Sequence, residues 1–141
     1  MKFDDNCIFC KIVQKQAPSS ILYEDGSVMA FLDIKPVNEG HALVISKAHY
    51  EGIFDIPSEL LGDVHKVTKT IAAAVKQAVN ADGVSIVQQN GKAANQEVFH
   101  IHVHIIPKFL GQKMNPFNKN DLQFVDHKQL DITAAKIKNH L

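Results

Sequence analysis

Hydrophobic and polar residues alternate in several short stretches of the chain, and this period of two predicts β-strands. Asp25-Gly26 separates two of these stretches and is a strong signal for a two-residue hairpin turn. The predicted strands are residues 21–24, 28–32, 41–46, 84–89 and 100–107, with residues 121–125 as a candidate edge strand. Local hairpins of this kind predict a mostly antiparallel sheet of about five strands.

A different period marks one long helix after Pro57. Its expected buried face recurs at steps of three and four and consists of Leu60, Val64, Val67, Ile71, Val75 and Ala78. Ser58 is the expected N-cap of this helix, and the stretch from Asn80 to Gly83 ends it.

Two shorter segments complete the expected secondary structure. Residues 7–13 form a short helix or turn that ends by Pro18, and residues 132–140 form a short C-terminal helix. The predicted strands dominate, their hairpins are local, and there is one main helix. This pattern indicates the α+β class. The length of 141 residues fits one domain, residues 1–141, with a single core.

Composition excludes some partners. Fifteen lysines balance fifteen acidic residues, so no overall field attracts nucleic acid or an anionic membrane, and neither is an expected partner. The chain contains no arginine. A phosphate would therefore have to be bound by lysine, histidine, amides and backbone N–H groups.

The two cysteines point to metal or redox chemistry rather than to a disulfide. The first six residues carry acids where a signal peptide would be apolar, and no run is long enough to span a bilayer, so we expect a cytoplasmic protein. Thiols in that compartment are more often metal ligands or a redox pair than a structural disulfide.

Three histidines in the strand at residues 100–107 are the main candidates for chemistry. His100, His102 and His104 alternate with branched apolar residues, so one face of a strand would carry all three imidazoles. A purely structural role would require a hydrogen-bond partner for each ring on one crowded face. His100 and His104 would lie ~13 Å apart on a straight strand, so one metal ion could not join all three without a bulge. We therefore expect separate roles for the three rings.

The loop at residues 90–96 runs directly into this strand. Its small residues allow a backbone to approach a ligand, and successive N–H groups can form an anion-binding concavity. On its own the loop is more typical of an ordinary hairpin connection. Beside three histidines it becomes a candidate phosphate cradle.

The run His100–Ile106 matches the His-apolar-His-apolar-His-apolar-apolar motif of the histidine triad (HIT) family, and the chain resembles that family over residues 7–107. The last thirty or so residues carry little of the resemblance. The other matching segments are Ile8–Ile12, Ala30–Ile34 with Pro36, Gly40 and His41, Leu43–Ile45, Asn90-Gly91 and Gln96–Phe99.

This resemblance implies a HIT-like fold and a homodimeric hydrolase or phosphoramidase that cleaves the α-phosphate bond of purine nucleoside monophosphate amides or esters. His102 would be the nucleophile and would form a covalent nucleotidyl-histidine, which divides one displacement into two easier ones. His104 would donate to a phosphate oxygen, and Gln96 with the loop backbone would stabilise its charge. His41 and His100 would orient the nucleophile. No metal is required for this chemistry.

The resemblance also implies a site for an AMP-like ligand. Asp33 would accept the ribose hydroxyls, although it is also typical of a turn or cap after a strand. Residues expected to enclose the purine are Ile8, Phe9, Ile12, Ile34 and Leu43. Plain core packing would explain the same residues, and Phe9 is the best stacking candidate. Residues expected along the phosphate loop are Asn90, Asn95, Gln96, Glu97 and Val98.

For Cys7-x-x-Cys10 the resemblance implies a structural Zn²⁺ site. Bacterial-type members pair such cysteines with a histidine after the third strand and with the first histidine of the triad, positions that His49 and His100 occupy here. Zinc needs four such N/S ligands. Free thiols and a redox pair are the alternatives.

Three departures from the family pattern leave alternatives open. Asn95 stands where many members have Gly, Glu97 where many have Ser or Thr, and Lys108 where Arg is frequent. A carboxylate at residue 97 is a poor acid for the leaving group at neutral pH.

The alternatives to the hydrolase are a nucleotide-binding regulatory or interaction protein with residual activity and a dinucleoside polyphosphate hydrolase. Related nucleotidyl transferases tend to lack the third histidine, which is present here as His104.

Overall fold

A computed structural model describes residues 1–112 and 122–141. The elements in chain order are α1 (Ile8–Val13), β1 (Ile21–Glu24), β2 (Val28–Leu32), β3 (Ala42–Ser46), α2 (Ser58–Ala78), β4 (Gly83–Gln88), a 3₁₀ turn (Lys92–Ala94), β5 (His102–Lys108) and α3 (His127–Lys138). No helix in these two ranges is both long and apolar enough to cross a membrane.

The five strands form one antiparallel sheet in the order β1-β2-β3-β5-β4. Asp25 makes the β1–β2 turn tight, because its Oδ1 accepts hydrogen bonds of 2.8 Å from the backbone N–H groups of Ser27 and Val28. The histidine-bearing strand β5 lies between β3 and the edge strand β4. Register places His102 opposite Ile45 and His104 opposite Leu43.

Alternation along β3 and β5 divides their side chains between two buried clusters. Val44, Val103 and Ile105 join the main core, which packs the sheet against α2 and α3. Leu43 and Ile45 face the other way, into a second cluster that includes Phe9 and Ile12 of α1. Because His102 and His104 alternate with Val103 and Ile105, they lie on the α1 face of the sheet.

The structure confirms the α+β class, the antiparallel five-stranded sheet, the long helix and the short C-terminal helix. The predicted N-cap is wrong: Pro57 occupies that position in an extended conformation, Ser58 is the first helical residue, and no side chain caps the helix. Proline fits here because it fixes φ and lacks the N–H that a helix start leaves unbonded.

The first helix ends at Val13, as the predicted segment at residues 7–13 does, and the chain then turns through Lys15 at φ 62°. One further element differs from expectation. The predicted edge strand at residues 121–125 is absent over residues 122–125, where one backbone bond of 2.9 Å from Val125 N–H to the Ile34 carbonyl replaces a ladder. Asp121 lies outside the described residues.

Candidate active site and metal centre

The three triad histidines do not share one strand, contrary to expectation. Strand β5 begins at His102, and His100 lies before it. The intervening Ile101 donates its N–H to the Tyr50 carbonyl at 2.8 Å, so the chain here pairs with the segment that follows β3. His100 is thereby turned toward the N-terminal cysteines, whereas His102 and His104 remain on the sheet.

A backbone carbonyl determines the tautomer of His102. Nδ1 of His102 lies 2.7 Å from the carbonyl oxygen of His100. A carbonyl can only accept, so this nitrogen carries the hydrogen and Nε2 of the neutral ring carries the lone pair. That tautomer is the one a nucleophile acting through Nε2 requires.

A second hydrogen-bond chain determines the tautomer of His104. The Val37 N–H donates to Nδ1 of His41 at 3.0 Å, so the hydrogen of the His41 ring is on Nε2. This Nε2 lies 3.0 Å from Nδ1 of His104 and 3.5 Å from a carboxylate oxygen of Asp33. Nδ1 of His104 therefore accepts, and its Nε2 is left as a donor.

A cavity of about 420 Å³ opens in front of His102 and His104. Its size lies within the usual range for small-ligand sites. The residues that line it are Ile8, Phe9, Ile12, Ala17, Pro18, Ser19, Phe31, Leu32, Asp33, Ile34, Lys35, Leu43, Gln89, Asn95, Glu97, Val98, His102, His104, Phe124 and His127. Of the predicted catalytic and nucleotide-binding residues, four are outside this lining: Asn90, Gln96, His41 and His100.

The apolar part of the cavity differs in one respect from the expected purine enclosure. Phe9 is only 6% exposed, and its ring meets those of Phe31 and His102 edge to face at 5.5 and 5.2 Å between centroids. Ile8 and Ile34 are 47% and 43% exposed. These two aliphatic side chains therefore offer more accessible surface to a base than Phe9 does.

Gln96 and Asn90 hold the phosphate-loop candidate in shape. The Gln96 amide accepts from Gly91 N–H at 2.8 Å and donates to the carbonyls of Glu51 and Val98 at 2.6 and 3.0 Å. Oδ1 of Asn90 accepts from Ile53 N–H at 2.7 Å. The Gln96 amide thus ties the loop to Glu51 and Val98. The Asn90 amide ties it to Ile53 and also to the Gln88 side chain of β4, from which it accepts at 2.7 Å and to which it donates at 3.0 Å.

The unusual Asn at position 95 is explained by its backbone. Asn95 adopts φ 68° and ψ 24°, the left-handed region. Asparagine tolerates this conformation better than other residues with a side chain, so it can replace glycine here. Asn95 and Glu97 are both among the residues that line the cavity.

The C-terminal segment contributes lining residues that the sequence did not reveal. Phe124 and His127 line the cavity, and the Lys35 ammonium lies 4.5 Å from the centroid of the Phe124 ring. The bond between Val125 and Ile34 brings this segment to the site. The alternation at residues 121–125 predicted an edge strand and not a contact with the cavity, and no motif marks His127.

The structure brings the four predicted metal ligands together. Cys7, Cys10, His49 and His100 are all buried, and their ligand atoms lie within 4.8 Å of one another. Sulfur–nitrogen separations are 3.3 to 3.6 Å, and the two Nδ1 atoms are 3.3 Å apart. A tetrahedral zinc ion with normal bond lengths would give roughly 3.6 Å and 3.3 Å for these separations. The donor set therefore fits zinc.

Surrounding groups complete a site of this kind. Nε2 of His100 lies 2.7 Å from the Ser46 carbonyl oxygen. Because a carbonyl only accepts, the ring hydrogen is on Nε2, and Nδ1 is left as the ligand atom. Burial lowers the pKa of His100 to about 4, although the hydrogen bond to Ser46 acts to raise it. The ring is therefore neutral, as a metal-ligating histidine must be. Burial raises the pKa of the Cys10 thiol to about 11, and a bound metal would displace its proton.

Fold and site together define a histidine triad protein, and comparison with known sequences agrees. The HIT domain family matches residues 14–111, and the chain belongs to this family. It is similar to adenosine 5'-monophosphoramidase HNT1 of Saccharomyces cerevisiae, with 48% identity over 105 residues that cover 74% of this chain and 64% of the relative.

Solved structures similar to this chain are also histidine triad proteins. A Hit-like protein of Bartonella henselae, described as involved in cell-cycle regulation, has a TM-score of 0.89 and 39% identity, covering 99% of both chains. A Zn-bound histidine triad family protein of Mycobacterium smegmatis has a TM-score of 0.81 and 34% identity, covering 96% of this chain and 92% of that one.

Proposed function

We propose that this protein is a nucleotide phosphoramidase or hydrolase that works through a nucleotidyl-histidine on His102. The observation that carries the proposal is the hydrogen bond from His102 Nδ1 to the His100 carbonyl beside a cavity of about 420 Å³. It leaves the Nε2 lone pair of a neutral imidazole next to space for a nucleotide. The similarity to the yeast adenosine 5'-monophosphoramidase supports the same activity class.

The reaction divides into two displacements at phosphorus. Nε2 of His102 bonds to the α-phosphorus, the bond to the leaving amine or alkoxide breaks, and that group takes a proton from solvent at the cavity mouth. Water then attacks the phosphorus, the P–N bond to His102 breaks, and a proton returns to solvent with release of the nucleoside monophosphate. The donor at Nε2 of His104 stabilises charge on a non-bridging oxygen, a contribution typically of about 10²–10³ in rate.

The nucleoside would occupy the apolar end of the cavity. Ile8 and Ile34 would cover the base, with Ile12 and Leu43 behind them. Asp33 would accept the ribose hydroxyls. One of its oxygens already accepts from Lys35 N–H at 2.8 Å, and a carboxylate has acceptor sites for several donors.

We also propose a structural zinc ion bound by Cys7, Cys10, His49 and His100. It would join α1 to the residue that positions His102, and it supplies no step of the reaction. The histidine triad protein described as Zn-bound supports this assignment. The cytoplasm, where thiols stay reduced, is the compartment that suits such a site.

A homodimer is the assembly that we propose, with β4 as the candidate contact. This strand forms an edge of the sheet, and its Ile86 is 45% exposed. An edge strand offers backbone groups to a second copy. Sedimentation equilibrium of the wild type and of Ile86→Lys tests this: a dimer that dissociates in the variant supports the contact, and a monomeric wild type refutes it.

A single-turnover experiment with an adenosine phosphoramidate tests the enzymatic function. Acid quenching of the wild type should trap an adenylyl group on His102, and His102→Ala should neither trap it nor turn over above background. His65→Ala, an exposed histidine of α2, is the matched control and should behave as wild type. Nucleotide binding without turnover by the wild type would instead indicate a binding module.

A further inference from the structure

Glu97 places a carboxylate at the mouth of the cavity. It lines the cavity together with His102, and its side chain is exposed to solvent. Neither the triad nor the resemblance explains a negative charge beside a site that is to bind phosphate.

Lysine is scarce among the described residues that line the cavity. Lys35 is the one lysine among the described residues that line the cavity, and the chain has no arginine. The Lys35 ammonium lies over the Phe124 ring, beside Asp33 and Ile34. It therefore lies at the end of the cavity proposed for the nucleoside.

In-line displacement determines where the leaving group must go. The entering and leaving atoms lie on opposite sides of phosphorus, so the leaving group points away from Nε2 of His102. The Phe9 ring, 5.2 Å from that of His102 between centroids, closes the inner side of the cavity. The leaving group then extends toward the open side, where Asn95 and Glu97 are exposed.

We propose that Glu97 selects the leaving group by its charge, which makes nucleoside phosphoramidates of cationic or neutral amines the substrates of this chain. Leaving groups that carry sulfate, further phosphates or a carboxylate are disfavoured by repulsion. This inference rests on the function proposed above. Charges a few ångströms apart at a solvated cavity mouth interact enough for a preference of about tenfold.

Three adenosine phosphoramidates of matched chain length test the proposal: those of butylamine, 1,4-diaminobutane and 4-aminobutanoate. Their P–N bonds are alike, and they differ in the terminal charge of the amine. The wild type should show kcat/KM in the order cationic, neutral, anionic, with about tenfold between neighbours at low salt. Added salt should compress the series because it screens exposed charges.

Glu97→Gln should bring the three values of kcat/KM together, and Glu97→Lys should reverse their order. Glu59→Gln is the matched control, because it removes the same charge from an exposed position on α2. Glu59→Gln should keep the wild-type order. Far-ultraviolet circular dichroism and thermal melting verify that the variants fold.

The possible failures are distinguishable. If the wild type cleaves the amides and the order of kcat/KM is the same in Glu97→Gln and Glu59→Gln, the role of Glu97 is refuted while the hydrolase function stands. If the wild type cleaves none of the three and forms no nucleotidyl-histidine, both proposals are refuted.

Discussion

The carbonyl oxygen of His100 accepts a 2.7 Å hydrogen bond from Nδ1 of His102, while the ring of the same His100 faces Cys7 and Cys10. One residue therefore contributes its backbone to the proposed nucleophile and its side chain to the candidate metal centre. A displacement of His100 would move the acceptor that determines the His102 tautomer. The candidate metal centre and the proposed nucleophile are mechanically linked through this residue.

Removal of the metal should accordingly destabilise the protein. We expect close to one zinc per chain after native purification, and close to none in the double variant Cys7→Ser/Cys10→Ser. A ligand at a thousand times its Kd stabilises a fold by about 4 kcal/mol. For a chain of this size, loss of that amount lowers Tm by roughly 10 °C.

Metal analysis by plasma emission and thermal melting measure both effects. Chelator should lower the Tm of the wild type and leave that of the double variant unchanged. Equal zinc content in the two proteins would rule out this cysteine pair as the metal site.

His41 should affect the chemical step more than nucleotide binding. Its Nε2 lies 3.0 Å from Nδ1 of His104, and its Nδ1 accepts from Val37 N–H. His41→Asn keeps an acceptor for Val37 and removes the donor to His104. We expect the rate of His102 nucleotidylation to fall on the order of 10- to 100-fold, in line with the loss of a positioned hydrogen-bonding group.

Rapid-quench kinetics measure that rate, and equilibrium binding of AMP gives the affinity. His65→Asn, the same change on the exposed face of α2, should leave both unchanged. A variant in which AMP affinity falls as much as the rate would contradict a role confined to orienting His104.

The sequence predicted the elements whose pattern is local. The steps of three and four in α2 and the alternation in β5 are periodic; α2 formed where its periodicity indicated, and β5 formed from His102 onward. The position of His100 was not predictable in this way, because it depends on a bond from Ile101 to Tyr50, a residue in another segment. Phe124 reaches the cavity through a similar distant bond, between Val125 and Ile34.

The predicted metal ligands were only partly recognisable from local sequence. Cys7 and Cys10 have a recognisable spacing, but His49 and His100 were assigned from the family resemblance alone. The tautomers of His102 and His104 depend on backbone atoms, which no side-chain pattern encodes. Such tautomers follow only from the three-dimensional structure.

Gly52 should be required for the shape of the candidate phosphate loop at residues 90–96. A Cβ atom added at Gly52 would lie 2.8 Å from Oδ1 of Asn90, the same oxygen that accepts from Ile53 N–H. Gly52→Ala must therefore displace the Asn90 amide. We expect KM for an adenosine phosphoramidate to rise several-fold, with a smaller change in kcat, because the loss is one of ligand positioning.

Gly62→Ala provides the comparison for steady-state kinetics. A Cβ atom at Gly62 meets nothing within 4 Å, so this change in α2 should leave KM unaltered. It should also stabilise the protein by about 0.5–1 kcal/mol, since alanine favours a helix over glycine. If Gly52→Ala also leaves KM unaltered, the contact with Asn90 does not position the loop.

Glu24 should make a pH-dependent contribution to the stability of the cavity wall. Its carboxylate bonds to Lys15 at 2.8 Å and to Lys47 at 2.6 Å, and these lysines, Lys15 first, lower the pKa of Glu24 below its ordinary value near 4.5. Lys15 follows α1, whose residues line the cavity. The charged form is favoured in the folded state, so its stabilisation is full above pH 4.5 and is lost as the pH falls through the lowered pKa.

Glu24→Gln should consequently lower Tm at pH 7 and make a smaller difference near pH 3. Since Glu24 and Lys15 are partly exposed, the loss at pH 7 should be about 0.5–1 kcal/mol, or roughly 2–4 °C. Melting curves from pH 3 to pH 7 measure the difference. In a Lys15→Met/Lys47→Met background the same substitution should have no pH-dependent effect, because both partners of the carboxylate are gone. A Tm difference that persists unchanged at pH 3 would show that Glu24 acts through packing rather than through its charge.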